Sequence, residues 1–426
     1  MMTATPGAGA RQRILGISFN IDGTGLTRVM RTVLGQLAAD FEVDYLGIGR
    51  TGPPAESGGV RMHPTNQRGG DVFAAFQAVE MVRSAPPAAV LVLHDLWLFD
   101  HYGRVFAPVR DATRFVGYLP LDGNIVDEAV ALPLRCLDRV VVYTEWAAGQ
   151  LSSAFERLRA AGLGEGLPRV EIIPHGIDIT TFAARPGLLA AGFDPRGRAA
   201  VKRRVFPALT DPEHSFVVLN ANRPAARKRV DITIEAFAKF AEGKPPGVRL
   251  CLHHAITEED TGELLALAHK LGIADRLLYN PLSPEGGALT EDDLALLYSA
   301  CDVGINTSMG EGWGLVSFEH AATGAAQIVP GHSACRDLWR DGTAELIEPA
   351  ERGVPPFSPL EMAQVNAAGA AAAMETLYRD RDRLRRVSQA GYEYARRPGF
   401  RWEAIADRWR EIFGDVTGQP ADSGRA

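Results

Sequence analysis

Two stretches of this 426-residue chain place residue types at spacings suited to a phosphate-bearing ligand. The first is Gly310-Glu311-Gly312-Trp313-Gly314-Leu315-Val316-Ser317-Phe318-Glu319, which follows an apolar run and opens a helical pattern. Glycines at a strand–helix junction let backbone N–H groups approach a phosphate at the positive end of the helix dipole. Glu319 falls inside that helix, a place suited to bonding a ribose diol. Glu311 sits in the loop, beside whatever the phosphate carries. A Gly-rich turn with two solvated glutamates is the competing reading. The second stretch is Asn220-Ala221-Asn222-Arg223, then Pro-Ala-Ala-Arg, then Lys228, ahead of a helical pattern from Val230. Cations at a strand's C-terminal edge and at the next helix's start point into the crevice where open α/β sheets bind ligands. Two fixed cations suit a diphosphate that leaves with negative charge building on its oxygens. A solvated basic turn competes here, because Arg227 and Arg229 flank the pair and not all four can face inward.

Both stretches need rigid elements behind them, and the hydrophobic pattern predicts these. Apolar runs alternate with helix-period segments along nearly the whole chain, which predicts α/β architecture with parallel sheets. Strand candidates are Arg13 to Asn20, Glu42 to Ile48, Ala89 to Leu93, Arg114 to Tyr118, Arg139 to Tyr143 and a run ending at Ile173. After the turn at Asp22 to Gly25, the residues Leu26, Val29, Met30, Val33, Leu34 and Leu37 fall on one helical face. A break with poor periodicity follows from Ala183, apart from a short basic segment around Lys202. A second series begins at Phe216 and continues through Leu250 to His253, Leu277 to Tyr279, Val303 to Asn306 and Gln327 to Val329. The segments Met362 to Arg397 and Trp402 to Phe413 read as helices. The expected organisation is therefore a Rossmann-like domain over 1–182, a connection over 183–214 and a second Rossmann-like domain over 215–399. The helix at about 400–415 is expected to pack back on the first.

Composition excludes several classes. With 45 Lys+Arg against 52 Asp+Glu the formal charge is −7, which argues against nucleic acid as a partner. No apolar stretch approaches a membrane span, and the N-terminal MMTATPGAGARQR lacks the apolar core of a secretory leader. Cys136, Cys251, Cys301 and Cys335 lie far apart without metal-ligand spacing and read as reduced thiols of a cytoplasmic protein. Gly23-Thr24-Gly25 with Asp44 has part of a dinucleotide fingerprint, but Arg28 occupies its third glycine position. Asp380-Arg381-Asp382 has a metal-binding form, yet it sits in an Arg-rich helical run and reads as a solvated face. No metal and no cofactor are expected.

Taken together the motifs resemble the retaining GT-B glycosyltransferases, in particular glycosyltransferase family four, the group 1 type. The carriers are the Arg223 to Lys228 spacing before Val230-Asp231-Ile232-Thr233-Ile234-Glu235-Ala236-Phe237, and the Glu311 to Glu319 spacing around Gly312-Trp313-Gly314-Leu315. Ile173-Pro174-His175-Gly176-Ile177-Asp178 and Arg401-Trp402-Glu403 add to them, and the likeness runs from about Arg13 to Phe413. The resemblance implies two doubly wound Rossmann-like domains facing each other across a cleft. It implies metal-independent transfer of a hexosyl group from a nucleotide diphosphate sugar to an acceptor hydroxyl. Arg223, Lys228 and Glu311 are the implied catalytic residues; Gly25, Leu282, Trp313, Gly314, Leu315 and Glu319 are the implied donor-binding ones.

The acceptor half matches less well. Thr24-Gly25-Leu26 keeps only the second of the family's paired glycines, and Leu119-Pro120-Leu121-Asp122-Gly123 stands where the family often shows a His. Asp122 and the strand-end His94 are therefore the acceptor-side candidates, each with a bland alternative as turn former or packed histidine. The first helix offers only Arg28 and Arg31 as basic residues, so stable membrane binding is not expected. A water-soluble small molecule or saccharide is the expected acceptor. Two other activities stay open from sequence: a nucleotide-sugar-binding pseudo-enzyme, and a phosphorylase or epimerase on the same fold. The oligomeric state is not legible.

Overall fold

The structure is a computed structural model and describes residues 11–253, 258–283 and 289–418. Residues 1–10, most of the stretch read above for a leader, lie outside it. Most of the apolar runs become strands with buried central residues, while Arg169–Ile172 and Leu277–Tyr279 are only partly buried. β1 (Arg13–Phe19), β2 (Glu42–Ile48), β3 (Ala55–Ser57), β4 (Val60–His63), β5 (Ala89–Leu93), β6 (Arg114–Leu119), β7 (Arg139–Val142) and β8 (Arg169–Ile172) build one sheet. Its order is β3-β4-β2-β1-β5-β6-β7-β8, parallel except for the β3–β4 edge. A second sheet holds β9 (Phe216–Asn220), β10 (Val248–Leu252), β11 (Leu277–Tyr279), β12 (Val303–Ile305), β13 (Ala326–Pro330) and β14 (Glu345–Ile347). It runs β11-β10-β9-β12-β13-β14, all parallel.

Strand order reverses between β1 and β5 in the first sheet, and between β9 and β12 in the second. Open α/β sheets bind ligands just beyond the carboxyl ends of strands at such reversals. One reversal carries the loop from Asn20 to Gly25 and the pair His94-Asp95. The other carries Asn220 to Lys228 and Asn306 to Gly314. The two crevices face each other. Asn124 and Glu361, from opposite halves, exchange backbone hydrogen bonds of 2.8 and 3.0 Å, and Asn124 Nδ2 donates to Glu361 Oε2 at 2.9 Å. The expectation of two doubly wound domains across a cleft describes this architecture.

The helix Gly25–Leu37 buries Val29, Met30, Val33, Leu34 and Leu37 against the first sheet. The chain then returns at its end: the helix Trp402–Thr417 lies on Gly25–Leu37 and buries Trp409 and Phe413. Trp409 packs edge-on to Tyr118 at 4.9 Å, Phe413 meets Phe41 at 5.8 Å, and Arg410 Nε donates to Asp40 Oδ2 at 2.7 Å. Each such apolar side chain withdrawn from water contributes about 1.5–3 kcal/mol, so this helix fastens the C-terminus to the first half.

Two departures from the periodicity reading have local causes. Met362 to Arg397 is not one helix: Met362–Gln364 pairs as a strand, and Ala367–Arg379 and Arg381–Ala395 are separate helices. Asp380 breaks them by capping, its Oδ1 accepting from Arg383 N at 2.8 Å, while Asp382 pairs with Arg385. Residues 183–214, read as a connection, hold the short helices Pro186–Ala190 and Ala199–Val205 and are anchored onto the second sheet. Fully buried Lys202 donates to Asp302 Oδ2 at 2.7 Å and to Ser215 O at 2.8 Å, and Asp302 Oδ2 also accepts from Val217 N.

Candidate active site

The loop after β12 is shaped by what lies across the cleft. A Cβ on Gly310 would overlap the Asp122 carbonyl, so only glycine lets the acceptor-side loop pass this closely. Gly314, at φ 88°, takes the left-handed conformation that opens the helix Leu315–Ala322. Phe318 N bonds back to Gly314 O at 3.1 Å, which leaves the first N–H groups of this helix as unspent donors in the sense usual for a helix start. The Trp313 side chain turns into the core: it is 3% exposed and packs on His175, Phe318 and Phe400. Leu315 reaches toward the other half, where a Cβ on Gly25 would stand 2.9 Å from its Cδ1. Leu282 is half-buried beside the core, in a turn closed by Ser283 N to Asn280 O at 3.0 Å.

Lys228 and Glu311 meet at the centre. Lys228 Nζ donates to Glu311 Oε1 at 2.5 Å, and the same oxygen accepts from Asn306 Nδ2 and Ser308 Oγ, both at 2.9 Å. The Glu311 backbone N–H bonds Ser333 Oγ. Burial pushes the Glu311 carboxyl up, but Lys228, Arg227 and these hydrogen bonds outweigh it and hold it down at about 2. Burial lowers the Lys228 ammonium against the opposing pull of Glu311. Of the neighbouring cations, Arg229 is in the left-handed region at φ 47° and turns away to Asp231 and Gln364. Arg227 faces the cleft: its Nη1 bonds Gly310 O at 2.8 Å and its Nε lies 3.5 Å from Asp122 Oδ2. Arg223 is exposed, with no side-chain partner among the described residues, and its charge reaches Asp95 across the cleft. Arg223, Arg227 and Lys228 therefore gather on one side, with Arg227 an addition that the motif spacing does not announce.

Glu319 is buried, and its Oε1 pairs with Arg28 Nη2 of the first half at 2.6 Å. Its Oε2 has no partner among the described residues. Burial raises the carboxyl, Arg28 restrains it, Glu291 adds to the rise, and the result is about 7. Arg28 also lies 3.9 Å from Glu291.

On the opposing side His94 is 1% exposed, with its ring among Phe19, Phe73, Trp97 and Tyr102. Its Nδ1 accepts the Asp95 backbone N–H at 2.9 Å, and burial lowers its pKa to about 3. Asp122 is brought to the donor loops through Arg227, and burial raises its carboxyl against that cation. Asp95, which no motif singled out, stands beside it. The dinucleotide decoy dissolves in structural pairing: Asp44 is buried inside β2 and bonded by Arg13, Arg61 and His63. Three cations, a buried ionised carboxylate, a helix start and a second carboxylate with a free oxygen thus line one closed cleft. That set can bind a diphosphate and a diol and stabilise a phosphate as it departs.

Known proteins resemble this chain in sequence and fold. Residues 201–394 match the family model described as glycosyl transferases group 1. Among curated relatives, a D-inositol 3-phosphate glycosyltransferase of Thermomonospora curvata is 28% identical over 284 residues, covering 65% of this chain and 56% of the relative. One from Salinispora arenicola is 30% identical over 255 residues, covering 58% and 51%. The chain thus spans a little over half the length of these two relatives. Sucrose-phosphate synthase from Thermosynechococcus elongatus superposes with a TM-score of 0.71 at 18% identity, covering 96% of this chain and 100% of that one. Anabaena HepE in complex with UDP-glucose gives 0.68 at 15%, covering 95% and 100%. The fold is GT-B.

Proposed function

With residues 201–394 a group 1 glycosyl transferase domain within a GT-B fold, we propose that this chain is a retaining glycosyltransferase. It moves a sugar from a nucleotide diphosphate sugar to a hydroxyl of a soluble small molecule or saccharide. The observation that carries the reading is the Lys228–Glu311 pair, set beside Arg227 and below the helix start at Gly314. That two relatives are D-inositol 3-phosphate glycosyltransferases supports a polyol acceptor.

As the bond from the sugar's anomeric carbon to the diphosphate breaks, charge grows on the leaving oxygens. Lys228, Arg223, Arg227 and the first N–H groups of Leu315–Ala322 stabilise it, each already in place before the bond yields. Glu311 holds the donor sugar's hydroxyls and fixes Lys228, and Glu319 holds the ribose. The acceptor oxygen bonds the anomeric carbon from the face the phosphate leaves, and its proton passes to the departing phosphate. Configuration is retained and no separate protein base is needed. The cross-cleft contacts Arg28–Glu319, Arg227–Asp122 and Asn124–Glu361 keep out water that would otherwise hydrolyse the donor.

Three cations at the diphosphate do the work a metal ion would do, so catalysis is metal-independent and uses no cofactor. We place the enzyme in the cytoplasm, a reading that the four free thiols suit. Among the described residues no helix is long and apolar enough to cross a membrane. The experiment is a thermal-shift screen of nucleotide diphosphate sugars on the purified chain, followed by mass spectrometry of products from an acceptor panel. A stabilising donor that yields a glycosylated product with retained configuration is expected. An inverted product, or phosphate-dependent formation of a sugar phosphate, would overturn the reading.

A further inference from the structure

Two carboxylates at the edge of the cleft, Asp95 and Asp122, are not among the groups assigned to the donor above. β5 and β6 are adjacent and parallel, with Leu93 opposite Tyr118, so their C-terminal extensions carry Asp95 and Asp122 to the same edge. The Asp95 side chain is 45% exposed, and its neighbours in charge are Asp122 from its own half and Arg227 and Arg223 from the donor half. Tyr143 lies behind it, buried and neutral. His94 contributes no cation, because burial holds its imidazole neutral. Its Nδ1 instead fixes the Asp95 backbone, and its Nε2 is buried without a partner among the described residues. Two residues beyond Asp95, Trp97 is 53% exposed and packs edge-on to Phe73. An aromatic face beside carboxylates is the usual lining for a ring whose C–H face is apolar and whose rim donates hydrogen bonds.

We propose that Asp95, with Asp122, is the acceptor-reading end of the cleft and that it selects a polyol or amino-polyol bearing no phosphate. The inference rests on the glycosyltransferase reading above. When the donor is bound, Arg223, Arg227 and Lys228 are engaged by its diphosphate. A second phosphate on the acceptor would then meet Asp95 and Asp122 with no cation left to balance it. Hydroxyl or ammonium groups donate to both carboxylates instead. Burial, reinforced by Asp122 against the pull of Arg227 and Arg223, raises the Asp95 carboxyl to about 6. The accepting, ionised form therefore prevails above that pH and is lost below it. Asp95 is a positioning residue for the acceptor; the departing phosphate still takes the proton.

The test uses the full chain and paired acceptors: myo-inositol with myo-inositol 3-phosphate, and glucosamine with glucosamine 6-phosphate. Transfer is read by mass spectrometry, and UDP affinity is measured alongside. The expected result is transfer to an unphosphorylated member at least tenfold faster than to its phosphorylated partner. Acceptor KM should rise as pH falls through about 6. Asp95→Asn should raise acceptor KM at least tenfold, remove that pH dependence and keep UDP affinity within twofold. Asp95→Glu should recover part of the loss. Equal or better transfer to a phosphorylated partner overturns the proposal. So does donor hydrolysis with no transfer to any of the four, or an unchanged acceptor KM in Asp95→Asn. A chain that neither binds nor consumes any nucleotide sugar overturns the glycosyltransferase reading instead.

Discussion

Arg28 Nη2 stands 2.6 Å from Glu319 Oε1, so a cation of the first half closes on the carboxylate assigned to the ribose in the second. Gly25, three residues earlier in the same helix, touches Leu315 at the start of the Glu319 helix. The helices Gly25–Leu37 and Leu315–Ala322 thereby join the two halves beside Glu319. Opening the cleft must separate this pair, and on the proposed reading a ribose diol would bond the Glu319 oxygen that has no partner among the described residues.

Donor binding should depend on pH through Glu319. Its carboxyl is raised to about 7, so it is largely neutral below that and ionised above. A hydrogen bond to a charged acceptor contributes about 1.5–3 kcal/mol, more than one to a neutral group. Calorimetry with the stabilising nucleotide sugar should show affinity increasing from pH 6 to pH 8 in the native protein. Glu319→Gln should bind more weakly, with a flat profile. Parallel profiles in the two proteins would remove Glu319 from the ribose.

The anchoring of residues 183–214 has a stability consequence. Lys202 and Asp302 are both fully buried and paired at 2.7 Å. Removing Lys202 leaves the buried Asp302 carboxylate with only Arg198, 4.0 Å from its Oδ1, and costs about 3 kcal/mol, the low end for breaking a buried pair. Lys202→Met should lower the unfolding free energy in urea by that amount, while Arg203→Ala nearby, on the same helix, should change it little. Equal small effects would mean that the segment is loosely held.

The neighbouring cations Arg227 and Arg229 turn in opposite directions, so unequal roles are expected of them. Arg227→Ala should lower kcat/KM by about tenfold or more, a loss of about 1.4 kcal/mol, because its guanidinium faces the cleft, braces Gly310 and is proposed to meet the diphosphate. Arg229→Ala, whose side chain turns to Asp231, should fall within about twofold of the native rate. Steady-state kinetics on both variants checks the contrast, and the reverse ranking would refute the orientation.

The main strands were legible because their apolar runs are buried on both faces, as in Val218 and Leu219 or Val140 to Val142. Ala55–Ser57 and Glu345–Ile347 were not, being three residues each and partly polar, stabilised by neighbours rather than by their own pattern. The spacing of Arg223, Lys228, Glu311 and Glu319 was readable as a set, since local loops position each. Arg227 was not, because which of three consecutive cations faces inward depends on the left-handed backbone at Arg229. Gly310 invited a phosphate reading, but its close neighbour is the Asp122 carbonyl from a distant part of the chain. Arg28 entered the sequence reading as a broken glycine motif and as a basic residue of the first helix, and its partner Glu319 became visible only when the halves met.

Metal independence is expected on the proposed reading, in which Arg223, Arg227 and Lys228 meet the donor's diphosphate. Transfer activity should survive millimolar EDTA with at most a twofold change. Asp380 and Asp382 are occupied as a helix cap and an ion-pair partner, so neither waits for a metal. Activity abolished by chelator and restored by manganese or magnesium would contradict this.

The central claim is that Lys228, held by Glu311, stabilises the departing diphosphate. Such preorganised donors act chiefly in the transition state, and removing one costs about 10²–10³ in kcat. The direct measurement compares kcat for donor consumption with donor affinity in Lys228→Ala, whose fold is checked by circular dichroism. The account predicts a fall in kcat of about that size with a change in donor affinity of less than about tenfold. Equal losses in rate and affinity would make Lys228 a binding residue only, and an unchanged kcat would contradict the assignment of this cleft as the site of transfer.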